Sequence, residues 1–278
     1  VDSTLAVAAL LSAALHAAWN AGVKSSADPP LAMTAQMLAS AVLALIALCW
    51  TGLPAAASWP YMPVSTTLSM GAVASLLRAY QHAGFGVVYP IARASSVLLV
   101  LPLAAVVAGE WPQPPGLAGV AMVSVAVLML ARGPGAARAL SRPALGWTLA
   151  SAAFTAGYIV CDAQGVRRSG SALAYGCVLA IANATLWSAW QRRKGIRLAE
   201  LLEHRLRTSW MAVVATLSYW LILWVWTRAP IAPASALRDT SAIFATLIAV
   251  TVLKERLDRR VLWAVALATL GTVAIRLG

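Results

Sequence analysis

Ten runs of apolar residues, bounded by Pro, Gly or charge, occupy nearly the whole chain at 4–21, 31–50, 64–83, 87–108, 116–131, 144–164, 172–190, 209–227, 231–252 and 261–275. A helix needs ~20 consecutive apolar residues to cross a bilayer, because lipid offers the backbone no hydrogen bonds. The runs therefore predict an all-α integral membrane protein of ten transmembrane helices. Loops this short leave no room for a catalytic domain outside the membrane, and 61% hydrophobic residues with 11% charged exclude an ordinary water-soluble enzyme. The +12 net charge would raise nucleic acid as a partner in a soluble chain; here it marks cytoplasmic loops, and no nucleic acid is expected. The partner is the lipid bilayer. The first run has no basic stretch before it and carries His16, Trp19 and Asn20, so it reads as a retained helix and not a cleaved signal.

A duplication organises the runs. PIARASS at 90–96 is followed by Glu110 seventeen positions after Arg93; SALRDTS at 235–241 is followed by Glu255 seventeen positions after Arg238. Ser96 meets Ser241 at the same shift of 145, and AGVKSS at 21–26 resembles QGVRRS at 164–169 at a shift of 143. The chain thus reads as two five-helix repeats, 1–140 and 141–278, in one transmembrane domain. Five is odd, so the second repeat enters from the opposite side. Inverted repeats around a central cavity are the architecture of alternating-access carriers.

Loops after odd-numbered runs hold fourteen Lys and Arg against four on the other face, Arg167, Arg168, Arg228 and Arg276. That bias puts both termini in the periplasm of a bacterial inner membrane. Residues 191–208 read either as a short interfacial helix or as a solvated loop. Trp50, Trp59, Trp111, Trp147, Trp190, Trp210 and Trp263 fall near run ends and are assigned to interfacial belts.

HAAWNAGVKSSAD after the first run, YQHAGFGVVYPIARASS, the GE at 109–110, LRDTSAIFATL and LKERLDRR together resemble the drug/metabolite transporter superfamily, specifically its EamA-type exporters, and among them most nearly the aromatic amino acid exporters. The resemblance implies a ten-helix carrier with a central cavity that exports small metabolites, amino acids included. It also implies cytoplasmic termini, against the charge count, and the two expectations stand side by side here.

Charges inside the runs are costly and face a partner or a wet cavity, which singles out Arg78, Arg93, Asp162, Arg238 and Asp239. Tyr89, Arg93 and Ser96 share one helical face, and Arg238 with Ser241 repeats it. Two readings of the arginines remain: a guanidinium receiving a substrate carboxylate, or structural pairing with Asp162 and Asp239 or with freed carbonyls. Ser12, His16 and Trp19 share a face, as do Ser151, Thr155, Tyr158 and Asp162; His16 is either a proton carrier or a hydrogen-bonded packing residue. Trp220 and Trp224 suit an aromatic ligand or packing. Pro90, Pro102, Pro230 and Pro233 lie at the start of or within the fourth and ninth runs, where a proline frees backbone carbonyls, and Pro90 and Pro230 read alternatively as helix starts. Glu110 and Glu255 read as gates or loop caps. The expected substrate-binding set is His16, Trp19, Asn20, Arg78, His82, Tyr89, Arg93, Ser96, Tyr158, Asp162, Trp220, Trp224, Arg238, Asp239 and Ser241. No catalytic residue, metal or cofactor is expected: Cys49, Cys161 and Cys177 are isolated, and no His or carboxylate cluster appears. The function expected is an exporter of small amphipathic solutes, amino acids including aromatic ones among them, active as a monomer and not an enzyme. The alternatives are a lipid-carrier flippase of the same superfamily and an integral-membrane enzyme acting on a lipid-linked substrate.

Overall fold

The computed structural model describes residues 1–26, 28–83, 85–130, 141–193, 195, 205–244 and 259–277. These form ten α-helices and one 3-10 turn, with no strand among the described residues. The helices are α1 (Ser3–Lys24), α2 (Pro29–Thr51), α3 (Tyr61–Tyr80), α4 (Phe85–Ala108), α5 (Pro114–Leu130), α6 (Arg142–Arg167), α7 (Ala172–Arg193), α8 (Arg205–Trp226), α9 (Ile231–Asp239) and α10 (Arg259–Leu277). Six contain stretches long and apolar enough to cross a membrane, in α1, α2, α4, α6, α7 and α8. The protein is therefore a multi-pass helical membrane protein. Glu255 and most of 191–208 lie outside the described residues, as do the closing residues of the ninth expected run.

Local chemistry fixes several helix ends. Asp28 accepts from the Leu31 N–H at 3.0 Å with Pro29 and Pro30 in the first turn of α2. Ser141 caps α6 in the same way, through Ala144 N–H at 3.3 Å; both satisfy donors that a helix start leaves open. α4 stops at Gly109, whose φ of +66° is a left-handed conformation that favours glycine. The Glu110 N–H then closes back on the Ala104 carbonyl at 3.2 Å, which fixes the backbone that carries the Glu110 carboxylate.

The ninth helix is interrupted, and the prolines are not the cause. Pro233 sits in the first turn of α9, where a missing N–H costs nothing. The break falls at Thr240, whose hydroxyl donates to the Leu237 carbonyl at 2.7 Å and competes with the helical ladder.

α1 packs on α8, α3 on α6, α2 on α7, α5 on α10, and α4 on α5, α6 and α9. Lipid gives helices no hydrophobic reason to associate, so close backbone approach and polar bonds hold the bundle. A Cβ on Gly119 of α5 would stand 2.6 Å from the Gly271 carbonyl of α10. Ser12 and Ser218 exchange hydroxyl-to-carbonyl bonds of 2.7 Å each way between α1 and α8, and Ser151 of α6 donates to the Ala72 carbonyl of α3 at 2.9 Å. Trp50, Trp59, Trp111, Trp210 and Trp263 are exposed; Trp147 lies under the Arg78 guanidinium and Trp190 against Trp187.

Candidate functional site

A cavity of about 240 Å³ lies in the middle of the bundle. Helices α1, α2, α3 and α4 of the first half and α6, α7, α8 and α9 of the second all contribute to its wall. Of the residues expected to meet substrate, His16, Trp19, Asn20, Tyr89, Arg93, Tyr158, Asp162, Trp220 and Arg238 line it. Ser96, Asp239 and Ser241 are buried without lining it. Trp224 points elsewhere and stacks under Arg228, 4.8 Å from ring centre to guanidinium carbon. Arg78 and His82 line a different, larger groove of about 1300 Å³ between α3, α6 and α7, with Trp147, Trp190 and Arg193. The groove and the cavity share no wall residue among those described.

The two arginines that the duplication equates have different surroundings. The Arg93 Nη1 is 3.2 Å from Asp239 Oδ1, with side chains 13% and 3% exposed. Its Nη2 lies 2.6 Å from His16 Nε2. A guanidinium only donates, so His16 accepts through that nitrogen and is the neutral imidazole in this arrangement. The Ser96 hydroxyl lies 3.3 Å from Asp239 Oδ2, and the Tyr89 ring stacks on Arg93 at 5.2 Å. Arg93 is thus occupied on every side. Arg238 of α9 is 5% exposed, yet its Nε and Nη1 find no hydrogen-bond partner among the described residues. It faces the rings of Tyr219 and Trp226, at 5.9 and 6.0 Å, attractive for a cation but not a replacement for acceptors, and interacts through space with the carboxylates of Asp162 and Asp239. Arg93 has the carboxylate pairing that the structural reading expects, and Arg238 has no such ion pair among the described residues.

Asp162 is fully buried on α6 and receives hydrogen bonds from the Tyr175 hydroxyl at 3.3 Å and from the Tyr219 hydroxyl. Phenols that donate to both carboxylate oxygens stabilise a negative charge without neutralising it. No ion pair to Asp162 is present among the described residues. Besides Arg93, the cavity wall carries Arg238 and Asp162, which attract one another without a direct ion pair among the described residues, between Trp19, Tyr158, Tyr219 and Trp220.

Several wall residues escape sequence reasoning: Gln36, Ser40, Ser65, Asn183, Thr216 and Tyr219. Gln36 donates to Ser40 at 2.9 Å and Thr216 to Ser40 at 3.0 Å, a polar ladder between α2 and α8. Asn183 Oδ1 is buried without a partner. Their available signal was a neutral polar residue on an apolar helix, which is weaker than a charge. Tyr175, the second phenol on Asp162, is wholly buried behind the wall and had no such signal.

At one end of the bundle a second ion pair joins the halves. Arg167 at the end of α6 lies 2.5 Å from Glu110 Oε1 and also donates to the Trp226 and Ala229 carbonyls, at 2.8 and 2.9 Å. Glu110 Oε2 accepts from the Ile231 N–H at 2.6 Å and so caps α9. Among the described residues no three His, Cys, Asp or Glu side chains gather as a metal would require.

A bundle of bilayer-length apolar helices around a polar and aromatic cavity defines a multi-pass membrane protein of the solute-transporting class. Residues 142–277 match the EamA-like transporter family. A solved crystal structure shares the fold at a TM-score of 0.72 and 16% identity, covering 99% of this chain and 96% of that one. No curated protein matches the chain.

Proposed function

We propose that the protein is an inner-membrane exporter of small amphipathic solutes, amino acids including aromatic ones among them, and that two inverted five-helix repeats, 1–140 and 141–278, alternate access to the central cavity. The observation that carries the cargo is the bipolar cavity: Arg238 for a carboxylate, Asp162 for an ammonium group, and Trp19, Trp220, Tyr158 and Tyr219 for an apolar or aromatic side chain. A zwitterion satisfies both poles at once. A simple cation or anion leaves one buried charge unanswered, a cost of several kcal/mol on the order expected for unpaired buried ions.

Support for the repeat comes from packing. Exchanging α1–α5 with α6–α10 turns the α1 on α8 contact into α6 on α3, and returns α2 on α7, α4 on α9 and α5 on α10 to themselves. All of these contacts are present. The Glu110–Arg167 pair closes one end between the halves, the periplasmic end by the charge count, so the cycle has to break it. Each subunit holds a whole cavity and acts as a monomer.

Purified protein in liposomes loaded with unlabelled amino acid is expected to accumulate the same labelled amino acid by counterflow. Aromatic amino acids should compete best, and their decarboxylated amines poorly. Equal competition by amine and amino acid removes the role of Arg238; absence of counterflow across a full amino acid panel removes the cargo.

A further inference from the structure

The groove beside the central cavity repeats one gradient along three helices. Its lining runs on α3 from Met70 and Ala74 to Arg78 and His82, on α6 from Phe154 to Trp147, and on α7 from Leu186 to Trp190 and Arg193. The ends of α3 and α7 and the starts of α2 and α6 meet there, so the basic and indole side chains gather at one end of the bundle. The apolar members lie deeper. Phe154 stands seven residues beyond Trp147, on the order of 10 Å along the α6 axis. Phe154 and Leu186 are 38% and 43% exposed, on helices long and apolar enough to cross a bilayer, so lipid and not water meets them. Gly71 opens the space: a Cβ there would stand 3.0 Å from the Phe154 ring.

The mouth of the groove is short of anions. Arg78 and Arg193 are exposed and take part in no ion pair among the described residues. Asp28, the acidic residue among the described wall residues, has one carboxylate oxygen committed to the start of α2 through the Leu31 N–H at 3.0 Å. The Arg78 guanidinium carbon lies 4.8 Å from the Trp147 ring centre, a stack that uses the face of the guanidinium and leaves its edge for an oxyanion. Basic pockets between transmembrane helices at a membrane surface receive anionic head groups, and Trp settles at that depth.

We infer that the groove seats one anionic phospholipid, with its phosphate at Arg78 and Arg193 and an acyl chain along Ala74, Phe154 and Leu186. The occupant has to be charged at one end and apolar along the rest. A soluble anion leaves Phe154 and Leu186 uncovered. A second copy of the chain brings the same positive mouth against this one, and a zwitterionic lipid brings an ammonium group to a wall already in positive surplus. No described residue of the groove wall also lines the central cavity, so this site goes beyond the proposed transport path and its test reads no transport.

The full-length protein, delipidated in detergent, is titrated with dioleoyl phosphatidylglycerol and with dioleoyl phosphatidylethanolamine, and bound lipid is counted by native mass spectrometry. The wild type should bind the phosphatidylglycerol about tenfold or more tightly than the phosphatidylethanolamine, and Arg78→Gln with Arg193→Gln should remove most of that preference, about fivefold for each arginine. Arg78→Lys keeps the charge and should keep the preference. Arg228→Gln removes a cation at the opposite end of the bundle and should change nothing. Equal affinity for the two lipids, a preference unchanged in the double variant, or the same loss in Arg228→Gln overturns the inference. Displacement of the lipid by an equal concentration of glycerol phosphate also overturns it, in favour of a soluble anion, as does a lipid-free dimer, in favour of a second copy. Should the double variant fail to fold, a phosphatidylglycerol with a diazirine in its acyl chain decides the matter in the wild type: labels at Ala74, Phe154 or Leu186 support the site, and labels confined elsewhere overturn it.

Discussion

Asp239→Asn tests whether the Arg93–Asp239 pair holds the bundle together. In the wild type the Arg93 guanidinium and Asp239 carboxylate stand 3.2 Å apart with side chains 13% and 3% exposed. The variant keeps the shape and removes the charge, so Arg93 is left with the neutral His16 nitrogen and the Tyr89 ring. Removing one member of a buried pair costs about 3–5 kcal/mol, because the remaining ion keeps its desolvation cost and loses its partner. At ~2–4 °C per kcal/mol for a chain of this size class, the melting temperature should fall by roughly 6–20 °C. Replacing both residues, Arg93→Met with Asp239→Leu, removes the ion and the cost together, and should recover most of the loss. The assay is a melting series in one detergent for the wild type, both single variants and the double. The reasoning fails if Asp239→Asn melts within about 1 °C of the wild type, a change too small for a stranded buried charge. It fails equally if the double variant is no better than the worse single.

Three further outcomes follow from the geometry. Glu110→Gln weakens the bond to Arg167, a partly exposed interaction with side chains 20% and 25% exposed and of about 1 kcal/mol after allowance for solvent; a cysteine placed at Ser69 in the cavity should then react several-fold faster with an impermeant reagent applied from the Glu110 side, and an unchanged rate denies the pair a gating role. Gly119→Ala drives a Cβ to 2.6 Å from the Gly271 carbonyl and the Ile275 nitrogen, both backbone atoms that cannot yield, so stability should fall by at least ~1–3 kcal/mol in a detergent melt. Gly176→Ala would set a Cβ 2.6 Å from Trp220 Cδ1. That ring has to move, and since it lines the cavity the variant should lose aromatic competitors in counterflow before it loses small ones; parallel loss of all sizes places Trp220 outside the binding surface.

Charge and periodicity made the cavity largely legible in sequence, because lipid forces an ionisable residue to declare itself. Arg93, Asp162, Arg238 and Asp239 stand out against apolar helices, and helical spacing carries His16, Trp19 and Tyr158 to the same wall. Arg78 was misread for a related reason: it lies near the end of α3, where a long side chain reaches the surface, and it is exposed against Trp147. Trp224 shares a helical face with Trp220 by spacing, but Arg228 draws it toward the bundle end. The partner of each arginine was not legible. The register equates Arg93 with Arg238, whereas pairing depends on which neighbouring helix delivers a carboxylate, and the direct ion pair of Asp239 is with Arg93 of the other half and not with its chain neighbour Arg238. Nor was the break at Thr240, since proline is the stronger signal and Pro233 absorbs its own defect at the helix start.

The two ion pairs among the described residues both join the two halves of the chain, and the proposed rocking cycle would treat them differently. Displacement between rigid bodies grows with distance from the pivot, so a pair near the middle can persist while one at the end cannot. Arg93 and Asp239 lie on α4 and α9, helices that pack on one another and exchange places under the repeat. A contact between two elements that the proposed pseudo-axis interchanges would lie close to that axis, where rocking about it moves them least. Glu110 and Arg167 lie at the far ends of α4 and α6, which the axis does not interchange, and their separation must change by the full stroke. The buried pair can then stay intact throughout transport and spare the cycle the cost of stranding a charge in the membrane interior. In that proposed cycle Glu110–Arg167, with side chains 20% and 25% exposed, would be the pair that opens, its partial access to water lowering the cost.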